Sequence, residues 1–409
     1  MAEGGCGASR HFSWLPKACI PNANDACTIL RPKSSSVVGT RSLLGISSLP
    51  DDLLLECLSR VPSSSLPSIS LVCRRWSRLL ISQDFLSLRR LRCLILPAVL
   101  VFSSSPTNYT LLVSALPVLD GPWKLGPFIP FKSGMPLDVS QSRLSAVGPR
   151  VYIVGRDEVL CYDSWSGAMT PRSPMLSPPR KFATAVVFGK IFVVGGPNIE
   201  EYNPVTDRWR IVSRSPRTRY SCTAAAVDGV IYVVGGLKVG SSEAPRVAAA
   251  GPEARIYAGS MDLYDVENAV WLRSRAVPGG GCVVAACAAA DHVYILASHA
   301  VELSFWRFDA RRRGGGGCFG EWCKLKSPPL PTQTRLDSKV RFTCLGLEEK
   351  VVLIQVNGSI DDLLRRSGRN ARGLKEGLVL IFDSAAGEWI RGPDLPGLVQ
   401  RAACVSVEY

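Results

Sequence analysis

The chain is 409 residues long, 46% hydrophobic and 20% charged, which excludes a single small domain and is ordinary for a chain with a sizeable core. Its formal net charge of +14 favours an acidic partner surface, whether protein, nucleic acid or lipid, without choosing among them. Residues 1–20 lack the basic start and unbroken apolar core of a signal peptide. The most apolar later stretches, 91–102 and 281–300, are interrupted by Pro97 and by Asp291 and His292, so no membrane span is expected.

The 14 cysteines are scattered, and the tightest pairs, Cys282 with Cys287 and Cys318 with Cys323, have no second pair and no histidines at zinc-ligand spacing. They read as reduced, mostly buried thiols of a nuclear or cytoplasmic protein. Residues 1–45 mix Gly, Ser, Pro and Asn without a sustained period and read as a disordered leader.

Residues 46–92 differ. Pro50 suits a first helical position, Asp51 and Asp52 complement the helix dipole, and Leu53, Leu54 and Leu58 follow at helical spacing until Pro62 closes the element. A second helix is predicted from Leu66 to Leu80, with Ile69, Val72, Trp76 and Leu79 forming one apolar stripe opposite Arg74, Arg75 and Arg78. So short a segment cannot bury all of these side chains alone and needs another surface. LPDDLLLECLSRVP, then SLVCRRW, then DFLSLRR resembles an F-box. The resemblance implies a small three-helix module that docks on a SKP-type adaptor and through it on a cullin scaffold. Carried over by position, Leu49, Pro50, Leu53, Leu54, Pro62, Leu66, Val72 and Trp76 would line or support that interface.

From residue 144 the chain repeats. VYIVG at 151–155, IFVVGG at 191–196 and IYVVGG at 231–236 are spaced 40 residues apart, with weaker counterparts at 293–297 and 351–356. Each reads as a central strand running into a turn. Later in each unit an aromatic residue precedes a tryptophan by seven positions: Tyr202 and Trp209, Tyr264 and Trp271, Phe382 and Trp389. Tyr162 stands at the same distance from Met169, and Phe308 and Trp322 are separated by an Arg/Gly-rich insertion. Four strands per unit in this pattern resembles the kelch repeat. That implies a mainly β fold, a kelch-type β-propeller over 93–409 with six four-stranded blades, counted from Trp123, Met169, Trp209, Trp271, Trp322 and Trp389. The tryptophans are then core between blades. The first blade lacks a strand and the chain ends on one (401–409), so the C-terminal strand is expected to close the ring.

In such a blade the loop between the second and third strands and the links between blades emerge on one face. The long insertions 237–259 and 358–376 fall there. So do Arg180, Lys181, Arg214, Arg217, Arg219, Lys339, Arg365, Arg366, Arg369, Arg372 and Lys375. Of these, Arg180, Arg214, Arg217, Arg219, Arg365, Arg366 and Arg369 are the candidate contacts for an acidic or phosphorylated protein substrate. The RRRGGGG run at 311–317 falls on the opposite face and reads as a variable loop.

No catalytic residue, cofactor or metal is expected. Only three histidines are present, too few for the copper site of galactose-oxidase-like kelch enzymes, and no nucleophile–base motif stands out. The aromatics follow core spacing and do not interleave with basic residues, which disfavours a nucleic-acid stacking platform. An F-box followed by a kelch propeller is typical of plant proteins. It implies the substrate-recognition subunit of an SCF-type ubiquitin ligase in the nucleus or cytoplasm. A non-ligase F-box scaffold, a propeller enzyme and a basic nucleic-acid binder are the alternatives.

Overall fold

A computed structural model describes residues 48–95, 97–105, 110–117, 119, 121–130, 139–238, 257–279, 281–299, 302–311, 320–330, 341–357, 377–396 and 402–408. Four α-helices, α1 (Asp51–Leu58), α2 (Leu66–Ser70), α3 (Arg74–Leu80) and α4 (Gln83–Leu91), precede six antiparallel sheets of four or more strands. The predicted leader at 1–45, the insertion at 358–376 and most of the Arg/Gly-rich run lie outside the described residues.

The expected single helix from Leu66 to Leu80 is two helices. Cys73 is extended (φ −161°, ψ 164°) and caps α3, its Sγ accepting from the Trp76 N–H at 3.5 Å. The Ser70 hydroxyl donates to the Pro67 carbonyl at 2.6 Å, a local bond that competes with continuing the helix. Val72 therefore leaves the predicted stripe, and the three-helix expectation becomes four. Leu54, Leu55, Leu58, Leu66, Leu79, Leu80, Phe85 and Leu86 form the helical core. Arg89 ties the module together from inside. At 1% exposure, its Nη1 donates to the Ser59 and Val61 carbonyls (3.3 and 2.7 Å) and its Nη2 to Ser63 Oγ and the Leu94 carbonyl (2.6 and 2.7 Å).

The six sheets are the blades of a propeller. Blade 1 runs Ala403–Glu408, Pro97–Ser105, Thr110–Leu116, Lys124–Pro130, so the C-terminal strand completes it, pairing Ala403 with Phe102 and Glu408 with Pro97. In blades 2 to 6 the first strand in sequence is also first in its sheet: Arg143–Val147, Ala183–Val187, Thr223–Val227, Cys282–Ala289 and Arg341–Leu347. These strands and Ala403–Glu408 touch one another in a closed ring, which makes them the inner wall of the channel. Gly346 permits one of the closest approaches in that wall: a Cβ there would stand 1.7 Å from the Ala288 carbonyl oxygen.

The seven-residue spacing is a hairpin register. Tyr202 pairs with Trp209, Tyr264 with Trp271, Phe382 with Trp389 and Tyr162 with Met169, and Phe308 pairs with Trp322 despite the insertion. The residue after the aromatic turns the chain. Asp163 Oδ1 accepts the Trp165 and Ser166 N–H groups, and Asp383 Oδ1 those of Ala385 and Ala386.

The tryptophans pack on these aromatics, with ring centroids 4.9–5.2 Å apart. Each indole N–H also donates to a carbonyl at the end of the preceding blade: Trp209 to Ser173, Trp271 to Arg214, Trp322 to Ala276, Trp389 to Lys326 and Trp123 to Pro393, at 2.7–3.0 Å. Met169 has no such donor, and there a Phe102–Tyr162 edge contact at 5.3 Å bridges blades 1 and 2.

Trp389→Phe keeps the ring contacts and removes only the indole N–H. It should lower unfolding free energy by about 1 kcal/mol in chemical denaturation; an unchanged midpoint would show that the indole bond contributes nothing.

Candidate docking and binding surfaces

The helical module presents apolar side chains to solvent. Leu53 is 51% exposed, Leu71 77% and Val72 59%, with Pro50 and Pro62 also exposed. An Asp51–Arg75 ion pair at 2.6 Å holds the start of α1 against the start of α3, so Leu53 and Val72 stand on neighbouring segments. Trp76 is half-buried and packs on the helical core, and Leu49 is half-buried. Leu54 and Leu66, predicted to line or support a partner surface, are buried in the module's own core at 1% and 0% exposure and can only support it. Leu71, which sequence reasoning did not single out, is among the most exposed apolar residues. The helix break puts it there.

The module seats on the propeller end that carries the turns between first and second strands, here the lower end. Trp165, in the turn between the third and outer strands of blade 2, is 9% exposed and packs within the helical core. The Asp163 bonds that shape its turn aim it there. A Cβ on Gly148 would lie 3.4 Å from Leu86 Cδ1, and one on Gly189 3.0 Å from Gln83 Nε2, so both turns pass close under α4. Both glycines have positive φ (56° and 71°). Arg90 pairs with Glu408 on the closing strand. Between α4 and the lower ends of the inner strands is a cavity of about 430 Å³ lined by Arg90, Phe188, Glu348 and Glu408 among others.

The links between blades lie at the upper end. Arg180 and Arg214 are exposed there. Arg219 is not. It is 1% exposed, with Nε and Nη2 on Asp262 Oδ2 (2.9 and 2.7 Å), Nη1 on the Gly235 and Tyr257 carbonyls (2.7 and 3.0 Å) and Nη2 on Ser260 Oγ (2.9 Å). Arg219 is therefore corrected to a structural residue: its guanidinium is buried and the donors a partner would need are already used inside. Arg217 is half-buried and shares Asp262 at 3.1 Å, and both guanidinium groups lie within 5.7 Å of the Tyr257 ring centre. Ser274 donates to the same carboxylate at 2.6 Å. The link folds over the glycines of the repeat. At Gly195 (φ 109°) a Cβ would come 2.9 Å from Cys222 Sγ and 3.1 Å from the Arg219 carbonyl oxygen. Arg365, Arg366 and Arg369, with Lys339, lie outside the described residues.

Among the described residues the cysteines are free and no three His, Cys, Asp or Glu side chains form a group that could hold a metal ion. The close thiols are not neighbours in sequence. Cys287 and Cys344, on the adjoining inner strands of blades 5 and 6, have their sulfurs 3.1 Å apart, and burial pushes the Cys287 thiol well above its usual range.

Residues 46–88 match the F-box domain. F-box/kelch-repeat protein At5g26960 of Arabidopsis thaliana is 55% identical over 414 residues, covering 98% of each chain. The chain belongs to the F-box/kelch-repeat family. A second Arabidopsis relative, F-box/kelch-repeat protein SKIP4, is 26% identical over 304 residues, covering 70% of this chain and 79% of its own. F-box protein AFR, also from Arabidopsis, is 25% identical over 213 residues, covering 48% and 57%. The F-box match takes in α1 to α3 and most of α4, and so contains the exposed Leu53, Leu71 and Val72.

Asp262→Ala leaves Arg219 charged and unpaired inside the upper end. It should cost about 3 kcal/mol or more in unfolding free energy. A loss below about 1 kcal/mol, measured by denaturation, would mean that the pair is solvent-accessible.

Proposed function

We propose that this F-box/kelch-repeat protein is the substrate-recognition subunit of an SCF-type cullin–RING ubiquitin ligase. Its F-box docks on a SKP-type adaptor, and through it on a cullin, while the upper propeller loops hold a protein destined for ubiquitination. The observation that carries this reading is the exposed apolar set Leu53, Leu71 and Val72 on the F-box helices. Exposed leucines and valines on adjoining helices favour a partner that buries them, each contributing about 1.5–3 kcal/mol when fully covered. The propeller's upper links lie at the opposite end from the seat of α4, so adaptor and substrate are held without competing for one surface. The chain's role is proximity: a substrate held at fixed distance from the ubiquitin carrier reacts at raised effective concentration. Placement in the nucleus or cytoplasm, where thiols stay reduced, fits its free cysteines.

Leu53→Asp combined with Val72→Asp should weaken co-purification with a SKP-type adaptor about 100-fold and leave thermal melting unchanged, because both side chains are exposed. Undiminished adaptor binding would refute the interface. Trp165 tests the coupling between the ends. Its Nε1 has no hydrogen-bond partner, so Trp165→Phe should be mild, whereas Trp165→Ala opens the seat at a cost of about 3 kcal/mol. Ubiquitin transfer to a bound substrate should then fall in a reconstituted ligase while adaptor and substrate binding persist; transfer at the wild-type rate would mean that the seat does not set the geometry.

A further inference from the structure

The six inner strands begin at the upper end with Arg143, Ala183, Thr223, Cys282, Arg341 and Ala403. Two of these are arginines and none is a carboxylate. At the lower end the same strands and their turns carry Asp228, Asp291, Glu348 and Glu408. The inner strands themselves thus start with arginines at the upper end and finish in carboxylates at the lower, where Arg90 of α4 answers Glu408; the upper turn of blade 2 adds Asp157 and Glu158 beside Arg156.

Arg143 is half-buried at this mouth. Its Nε donates to the Phe182 carbonyl at 2.8 Å and its Nη1 to the Ser142 carbonyl at 3.2 Å, and among the described residues no carboxylate pairs with it. It stands on blade 2, yet the groups that act on its charge are Cys222, at the head of blade 4, and Arg341, at the head of blade 6. Its bond to the Phe182 carbonyl carries the guanidinium across to the head of blade 3, the neighbouring blade in the ring. Burial pushes its guanidinium below the usual arginine range; Cys222 opposes this, and the charge of Arg341, a lesser effect than that of Cys222, pushes the same way as burial. An arginine nevertheless stays protonated in a protein, so the charge is retained without a counter-ion. Arg341 is exposed, and among the described residues no hydrogen bond or ion pair holds it. The contrast with the link arginines is sharp in chemical terms: Arg217 and Arg219 share Asp262, whereas among the described residues no carboxylate pairs with Arg143 or Arg341.

We propose that the upper mouth of the propeller channel is an oxyanion site for an acidic segment of the substrate, with Arg143 at the floor of the mouth and Arg341 at its rim. This rests on the substrate-receptor reading and names the chemistry that the receptor selects. A carboxylate or phosphate entering there meets two positive charges with guanidinium N–H groups left over from carbonyl bonding, in surroundings drier than the outer surface, where charge-assisted hydrogen bonds are stronger. Arg180 and Arg214, in open solvent, contribute mainly to the rate of encounter.

The test uses the full-length chain bound to its adaptor and a fluorescent hexaglutamate peptide, with hexaglutamine as the neutral control, followed by anisotropy. Hexaglutamate should bind in a salt-dependent way and hexaglutamine should not. Arg143→Gln and Arg341→Gln should each weaken binding about tenfold, the loss of one charge-assisted contact, and Arg180→Gln by less than about threefold. Arg341 is exposed, so its variant keeps the test valid if Arg143→Gln unfolds the propeller. Inorganic phosphate as competitor separates the two sources of oxyanion: displacement points to phosphorylated segments, and failure to displace points to Asp/Glu-rich ones. No hexaglutamate binding up to about 1 mM, equal binding of hexaglutamine, or unchanged affinity in both variants would overturn the site. Adaptor retention is read in the same samples, so a receptor that keeps its adaptor but ignores hexaglutamate loses only this inference, whereas one that loses its adaptor contradicts the ligase reading itself.

Discussion

A four-stranded sheet with apolar residues on both faces has to be covered on both, and in this chain that coverage comes from neighbouring blades. The outer-strand tryptophans make the arrangement specific. The rings of Trp209, Trp271, Trp322 and Trp389 cover the aromatic opposite them in the hairpin, and each of their indole N–H groups reaches a carbonyl at the end of the blade before it. Apolar burial by itself is non-directional and would tolerate sliding of one blade on another. A donor–acceptor pair at fixed distance does not, so the latch sets the angle between successive blades. Trp123 bonding to Pro393 carries the latch across the junction that the C-terminal strand closes.

The blade without the latch is also the one that receives the F-box. Blade 2 has Met169 where the others have tryptophan, and its Trp165 sits one turn earlier, buried among F-box helices. The aromatic side chain of that hairpin covers another module in place of a neighbouring blade. F-box and propeller then share a hydrophobic cluster, and the ion pair between Arg90 and Glu408 ties α4 to the closing strand itself. The F-box and the propeller are thereby connected through packed side chains.

Much of this was legible in the one-dimensional pattern. The 40-residue period, the glycines after the second strand and the seven-residue aromatic spacing each express a local rule, a strand ending in a tight turn or two residues facing across a hairpin. The F-box residues were recognisable in order, but the split of the second helix was not. It depends on Cys73 adopting an extended backbone and on Ser70 bonding back to Pro67, small local preferences that periodicity does not register. The arginines were harder still. Arg180, Arg214, Arg217 and Arg219 look alike along the chain, yet two are solvated, one is half-covered and one is buried, because Asp262 comes from a strand more than forty residues away. Arg143 stands alone in sequence; its distinction is that no carboxylate among the described residues pairs with it, which is visible only once its neighbours are in place.

The sequence by itself determined the architecture and family of this protein, since repeat period, turn residues and hairpin spacing are properties of neighbouring residues. The tertiary structure alone decided which apolar side chains of the F-box stay exposed, where the F-box seats, and which positive charges are already answered. Those outcomes depend on pairings between distant segments, such as Arg219 with Asp262 and Trp165 with the F-box core, and a charge or a ring becomes available for function only when no such pairing claims it.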